Sequence, residues 1–158
     1  MTETTQQLAR KLADHPRFRW MSGMRVLLTS PFGTVTPHRL YMGSSDCLCA
    51  QGEGDKGGYI AGFGLIDVRN YGATLDLDDP ATVGCVEAQV RALAPRRRFV
   101  LYESNSRWIL QLQSLECVVL WATGSTTRGA VWAAAFLDVA LMDFVASPEV
   151  LAKSVSDK

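Results

Sequence analysis

Apolar and polar positions along this chain repeat with two different periods, and the switches between them mark its elements. Leu8, Ala9 and Leu12 share one side of a short helix predicted over 6–14, which Pro16 ends because the residue before a proline is pushed out of the helical region. Large apolar groups from Phe18 to Met24, interleaved with Arg17, Arg19 and Arg25, lead into a strand at Val26 to Leu28. Pro31, Gly33 and Pro37 then punctuate a hairpin-like stretch with short strands at Val35 and at Leu40 to Met42. Residues 43–58 carry five glycines and two serines among charged groups and read as a mobile surface loop. Tyr59 to Ile66 follows as an apolar strand, in which Gly62 and Gly64 imply a bulge or the close approach of a backbone or ligand.

The second half is more sharply patterned. Asp78 or Asp79 caps a helix with Pro80 in its first turn, where a missing amide proton costs nothing. Val83, Val86, Val90 and Leu93 recur at helical spacing, Glu87 and Arg91 form an i, i+4 pair on the other side, and Pro95 stops the helix. Gly84 inside it implies close packing of something large. Three strands follow, Phe99 to Glu103, Arg107 to Gln113 and Cys117 to Ala122; in the middle one Trp108, Leu110 and Leu112 alternate with Ile109, Gln111 and Gln113, as a sheet with one buried face requires. Gly124, Ser125 and Thr126 cap a final helix, Thr127 to Val145, that is apolar almost all round, which predicts burial on every side. With two carboxylates and fewer than about twenty apolar positions it makes a poor membrane span.

The expected fold class is therefore α+β: an antiparallel sheet, including a C-terminal three-strand meander flanked by two helices, with a long apolar C-terminal helix. A single domain is expected over 1–146, followed by a polar tail over 147–158. At 158 residues, 47% of them hydrophobic and 20% charged, the chain can bury a core of its own without metal or disulfides.

Charge narrows the partners. Sixteen basic residues balance sixteen acidic ones, whereas a protein that coats duplex DNA normally carries a basic excess. The balance is uneven along the chain, +4 over residues 1–40 (six basic, two acidic), −6 over 41–90 (two and eight) and +2 over 91–158 (eight and six). That asymmetry allows a charged face, or simply complementary pairing between the segments. The polar amino-terminal residues read as lacking an export leader, so a reducing, cytoplasmic setting is expected and the four cysteines are expected as thiols. Cys85 and Cys117 lie in apolar stretches and read as core residues; Cys47 and Cys49 lack the second ligand pair that a zinc site uses.

No nucleophile elbow, phosphate loop or dinucleotide fingerprint occurs, and His15 and His38 both sit beside prolines in turn contexts. No catalytic residue, cofactor or metal site is therefore assigned, and the chain is expected not to be an enzyme. Two places carry the ingredients for holding an anion. Ser125, Thr126, Thr127 and Arg128 combine hydroxyls, a helix start and a guanidinium, and Arg96, Arg97, Arg98 with Arg107 form a basic cluster. Arg17, Arg19 and Trp20 add a third set that joins charge to a stacking surface. The greasy final helix also predicts self-association, most simply a dimer.

The block from His15 to Met24 (HPRFRWMSGM) and that from Leu75 to Cys85 (LDLDDPATVGC) resemble a family of small bacteriophage- and prophage-encoded proteins without an established activity. Ser22 departs from the proline expected there, and the glycine-rich loop is individual to this chain. The resemblance implies a non-enzymatic binding protein acting in the cytoplasm of a bacterial host. As an anti-defence protein it would block a host defence protein or sequester an anionic nucleotide signal. A structural or assembly accessory protein is the alternative, and a small hydrolase of a phosphorylated ligand comes third.

Overall fold

A computed structural model describes residues 4–43, 47–54, 58–60 and 72–142. The predicted strand residues 61–66 with Gly62 and Gly64, parts of the glycine-rich stretch, and everything from 143 onward lie outside the described residues. Helix α1 (Thr5–Ala13) opens the described chain, held at its start by a reciprocal pair in which Thr4 and Gln7 each bond the other's backbone. Strands β1 (Arg25–Thr29), β2 (Val35–Met42), β3 (Leu48–Gly52), β4 (Tyr59–Ile60) and β5 (Ala73–Leu75) form an antiparallel sheet in the order β4-β3-β2-β1-β5. Helix α2 (Pro80–Leu93) leads to a second antiparallel sheet, β6 (Arg98–Ser104), β7 (Arg107–Gln113) and β8 (Val119–Ser125), and helix α3 (Arg128–Leu141) follows. The chain is thus α+β with an antiparallel meander between two helices. The meander does not extend the first sheet, because β5 comes back to take the free edge of β1, pairing Leu75 with Val26.

Register explains the core. Val26, His38, Leu40, Ala50 and Leu75 fall on one face of the first sheet and are buried; Leu110 and Leu112 face inward from β7. Helix α3 lies between, touching α1, α2, β7 and β8, so that Val131, Trp132, Ala135 and Phe136 have no exposure at all. Among the described residues most of its apolar girth is consumed within the chain, with Leu141 at its end 78% exposed. Its span is fourteen residues to Leu141, shorter than the helix read from the sequence, whose last residues lie outside the described region. Among the described residues no helix is long and apolar enough to cross a membrane.

Other expectations shift for local reasons. β2 is one strand of eight residues that contains Pro37, tolerated just past the last β3 pair, His38 with Gly52, where only its carbonyl is used, accepting from the Glu53 amide at 2.9 Å. Leu48–Gly52, expected as loop, is strand β3, with Cys49 and Ala50 buried. Cys117 is exposed in the turn joining β7 and β8 at φ +63°, and Cys85 is only half-buried, so neither belongs to the innermost core. The last strand accordingly starts two residues later than predicted and takes in Gly124 and Ser125. The cap of α3 is Thr127, whose hydroxyl accepts from the Ala130 amide.

The outward face of the first sheet carries the charge pairing. Arg25 and Arg39 stand directly opposite each other, a repulsive arrangement that acidic residues from the next segment compensate. Glu53 bridges both guanidiniums at 2.9 and 3.1 Å, Asp76 takes Arg25 at 2.9 Å, and Asp79 takes Arg39 with both carboxylate oxygens at 2.8 and 3.0 Å. Two arginines of the basic first segment are thus paired with three carboxylates of the acidic second one.

Candidate cleft between the starts of α2 and α3

Asp79 fixes one wall. It accepts from the Thr82 amide at 2.8 Å and the Thr82 hydroxyl at 2.9 Å, while the buried Thr82 hydroxyl accepts from the Arg25 amide at 2.7 Å. The first turn of α2 is thereby tied to β1 and β2. Burial alone would raise the Asp79 pKa, but the bonds from Arg39 and from Thr82 outweigh it and hold the carboxyl below its ordinary value. The same pairing holds the Arg39 guanidinium above its ordinary value.

The other wall is the start of α3. Gly129 lies against the Leu77 backbone so closely that any Cβ there would run into the Leu77 carbonyl. Between the walls is a cleft of about 250 Å³, lined by Leu77, Asp78, Pro80, Val83 and Gly84 from one side and Thr127, Arg128 and Gly129 from the other. The Arg128 guanidinium is half-exposed and bonds Glu87 at 3.2 Å; the other Glu87 oxygen holds Arg91 at 3.0 and 2.9 Å. Two arginines thus share one carboxylate beside the cleft, which leaves a local surplus of positive charge. Asp78, exposed on the opposite wall, supplies the negative counterpart. Chemically the cleft lining offers a cation and a helix start, a carboxylate acceptor and apolar contact.

Of the residues singled out from sequence, Thr127 and Arg128 line this cleft, while Ser125 is the last residue of β8 and Thr126 is exposed before the cap. The basic cluster is not brought together. Arg96 and Arg97 lie exposed between α2 and β6, whereas Arg107 pairs with Ser104 at the far end of the hairpin from Arg98 and bonds the Gly124 carbonyl at 3.2 Å. Six strand residues separate the two ends, roughly 20 Å. Arg98 reaches the Cys117 sulfur at 3.9 Å. Arg17 donates to the Ala140 carbonyl at 2.9 Å and so closes the C-terminal end of α3. Arg19 exchanges backbone bonds with the Gln89 side chain, and Trp20 packs edge-on against Phe18 at 5.5 Å beside the core. The set Arg17, Arg19 and Trp20 therefore holds elements together.

Sequence reading missed Leu77, Pro80 and Val83 as cleft residues and read Gly84 the wrong way: a Cβ on Gly84 would meet nothing within 4 Å. Its place three residues before Glu87, on the polar side of the predicted helix, was the available signal.

Among the described residues no group of three or more His, Cys, Asp or Glu is arranged to hold a metal ion. Cys49 is buried with its sulfur 3.4 Å from the Tyr59 hydroxyl, a bond that, with the nearby Cys49 and Tyr41 charges, pushes the Tyr59 phenol up to about 12. Comparison with protein-family models, with curated proteins and with solved structures returned no match to this chain.

Proposed function

We propose that this chain is a phage- or prophage-encoded binding protein that holds a small anionic ligand of the nucleotide class without transforming it, and so acts inside the bacterial cell against a host defence. The observation that carries the reading is the placement of Arg128 and Thr127 on one wall of the cleft, with Asp78 and the apolar Leu77, Pro80 and Val83 on the other. Charge-assisted bonds to a phosphate at a helix start are the strongest single contacts such a site offers. The cleft is smaller than the roughly 300 Å³ at which drug-sized pockets begin, which suits one phosphate and part of its nucleoside. The phage origin and the anti-defence role rest on the two sequence blocks.

A second reading, an accessory protein of particle assembly, is favoured by a different surface. Leu115 is 81% exposed, and Val118, Val119 and Leu120 are about half-exposed on the turn and first residues of β8. We read this patch as the surface for self-association into a dimer.

Thermal denaturation against a panel of nucleotides, followed by chromatography of the ligand released on heating, separates the readings. The binding role predicts a raised melting temperature with one nucleotide and its recovery intact. Conversion of the ligand would show an enzyme. No stabilisation, together with co-sedimentation with virion particles, would favour assembly.

A further inference from the structure

Gly84 and Gly129 are both helical, yet they differ in what they face. Glycine is the least favourable helix residue short of proline, so its presence inside a helix calls for a cause. At Gly129 the cause is contact, since a side chain would collide with the Leu77 carbonyl. At Gly84 nothing lies within 4 Å of the Cβ position, and the residue lines the cleft between the starts of α2 and α3. The fold does not demand glycine there. What its bare Cα supplies is space in the cleft, beside Pro80 and Val83 and across from Arg128.

We infer that Gly84 is a specificity-determining residue of the cleft, and that the ligand is a nucleoside monophosphate whose flat base lies over the bare Gly84 backbone while its phosphate is held by Arg128 at the start of α3. This rests on the anion-binding reading above. Leu77, Pro80 and Val83 give the apolar contact that a base face needs, and the Asp78 carboxylate accepts hydrogen bonds from ring or exocyclic N–H groups. The cleft volume of about 250 Å³ has room for one phosphate beside a base rather than for a chain of phosphates, which favours monophosphates. Inorganic phosphate needs only the Arg128 end and does not touch Gly84.

The test is calorimetric titration of AMP, GMP, CMP, UMP and inorganic phosphate into the wild type, Gly84→Ala and Gly84→Leu, with melting temperatures recorded for each. Both variants replace glycine by a better helix former at an open position, so neither should melt below the wild type. The expected result is a monophosphate bound by the wild type, weakened about three-fold in Gly84→Ala and ten-fold or more in Gly84→Leu, with phosphate binding unchanged. Monophosphate binding within two-fold of wild type in both variants would overturn the role of Gly84 and leave the anion site standing. Phosphate binding to the wild type without any monophosphate would overturn the ligand class. Binding of none of the five probes would remove the anion-binding reading itself, and this inference with it.

Discussion

Arg39 grips both oxygens of Asp79 at 2.8 and 3.0 Å while Asp79 caps helix α2 through the Thr82 amide. One carboxylate thus joins the middle of the first sheet to the helix that forms one wall of the cleft. The Asp79 side chain is only 9% exposed, so removing it strips the cap and leaves Arg39 short of its strongest partner. A cap is worth about 1 kcal/mol and a charge-assisted bond about as much again in a half-exposed pair, so Asp79→Ala should cost about 2 kcal/mol. Asp79→Ser keeps a capping oxygen and should recover roughly half of that. Urea denaturation midpoints check both values.

Acid should act through the same residue. Asp79 titrates below its ordinary value in the folded chain, so on acidification the unfolded chain takes up the proton first. Its contribution is complete above the unfolded pKa of about 3.9 and is lost as the pH falls through the lower folded value. The melting temperatures of wild type and Asp79→Asn should therefore differ at neutral pH and converge below about pH 4. A gap that stays constant down to pH 2.5 would contradict this.

Gly129 tests how α3 seats on Leu77. Gly129→Ala forces the Cβ into the Leu77 carbonyl and should cost more than about 3 kcal/mol, despite the gain in helix propensity. The same substitution at Gly84 should be neutral or stabilising by up to about 1 kcal/mol, because its Cβ meets open space. Equal effects at the two glycines, by thermal or urea unfolding, would show that the two helix starts do not meet as described.

The thiols and the apolar patch give two further expectations. All four cysteines are free, and the melting temperature should be unchanged in excess reductant and chelator. Alkylation should reach exposed Cys117 first; burial and the Asp79 charge push the Cys85 thiol up and slow it. Light scattering at tens of micromolar should give a dimer that Leu120→Lys converts to monomer without loss of melting temperature, whereas a wild-type monomer mass would remove self-association.

Much of this was legible where the signal is local. Asp79 and Pro80 announce the start of α2, the Trp108, Leu110 and Leu112 alternation announces β7, and the Ser104 to Ser106 turn announces the hairpin, where Asn105 and Ser106 adopt positive φ. What failed depends on distance along the chain. Nothing near residue 75 says that Leu75 will pair with Val26, and nothing near Arg17 points to the Ala140 carbonyl, 123 positions away. The basic cluster failed because sequence neighbours on a hairpin were treated as spatial neighbours, although Arg98 and Arg107 sit at its two ends. The cleft was half legible: Thr127 and Arg128 carry a helix-start pattern, but the opposite wall is formed by a segment more than forty residues earlier.

The most direct measurement is calorimetric titration of the nucleotide that most stabilises the wild type into three proteins: wild type, Arg128→Ala, and a variant with Arg96, Arg97 and Arg98 all changed to alanine. Losing the Arg128 contact should weaken binding about ten-fold or more with little change in melting temperature, because that side chain is half-exposed and its partner Glu87 keeps Arg91. The triple variant, altered outside the cleft, should bind as the wild type does. Undiminished binding by Arg128→Ala, with loss in the triple variant, would contradict the assignment of the cleft as the ligand site.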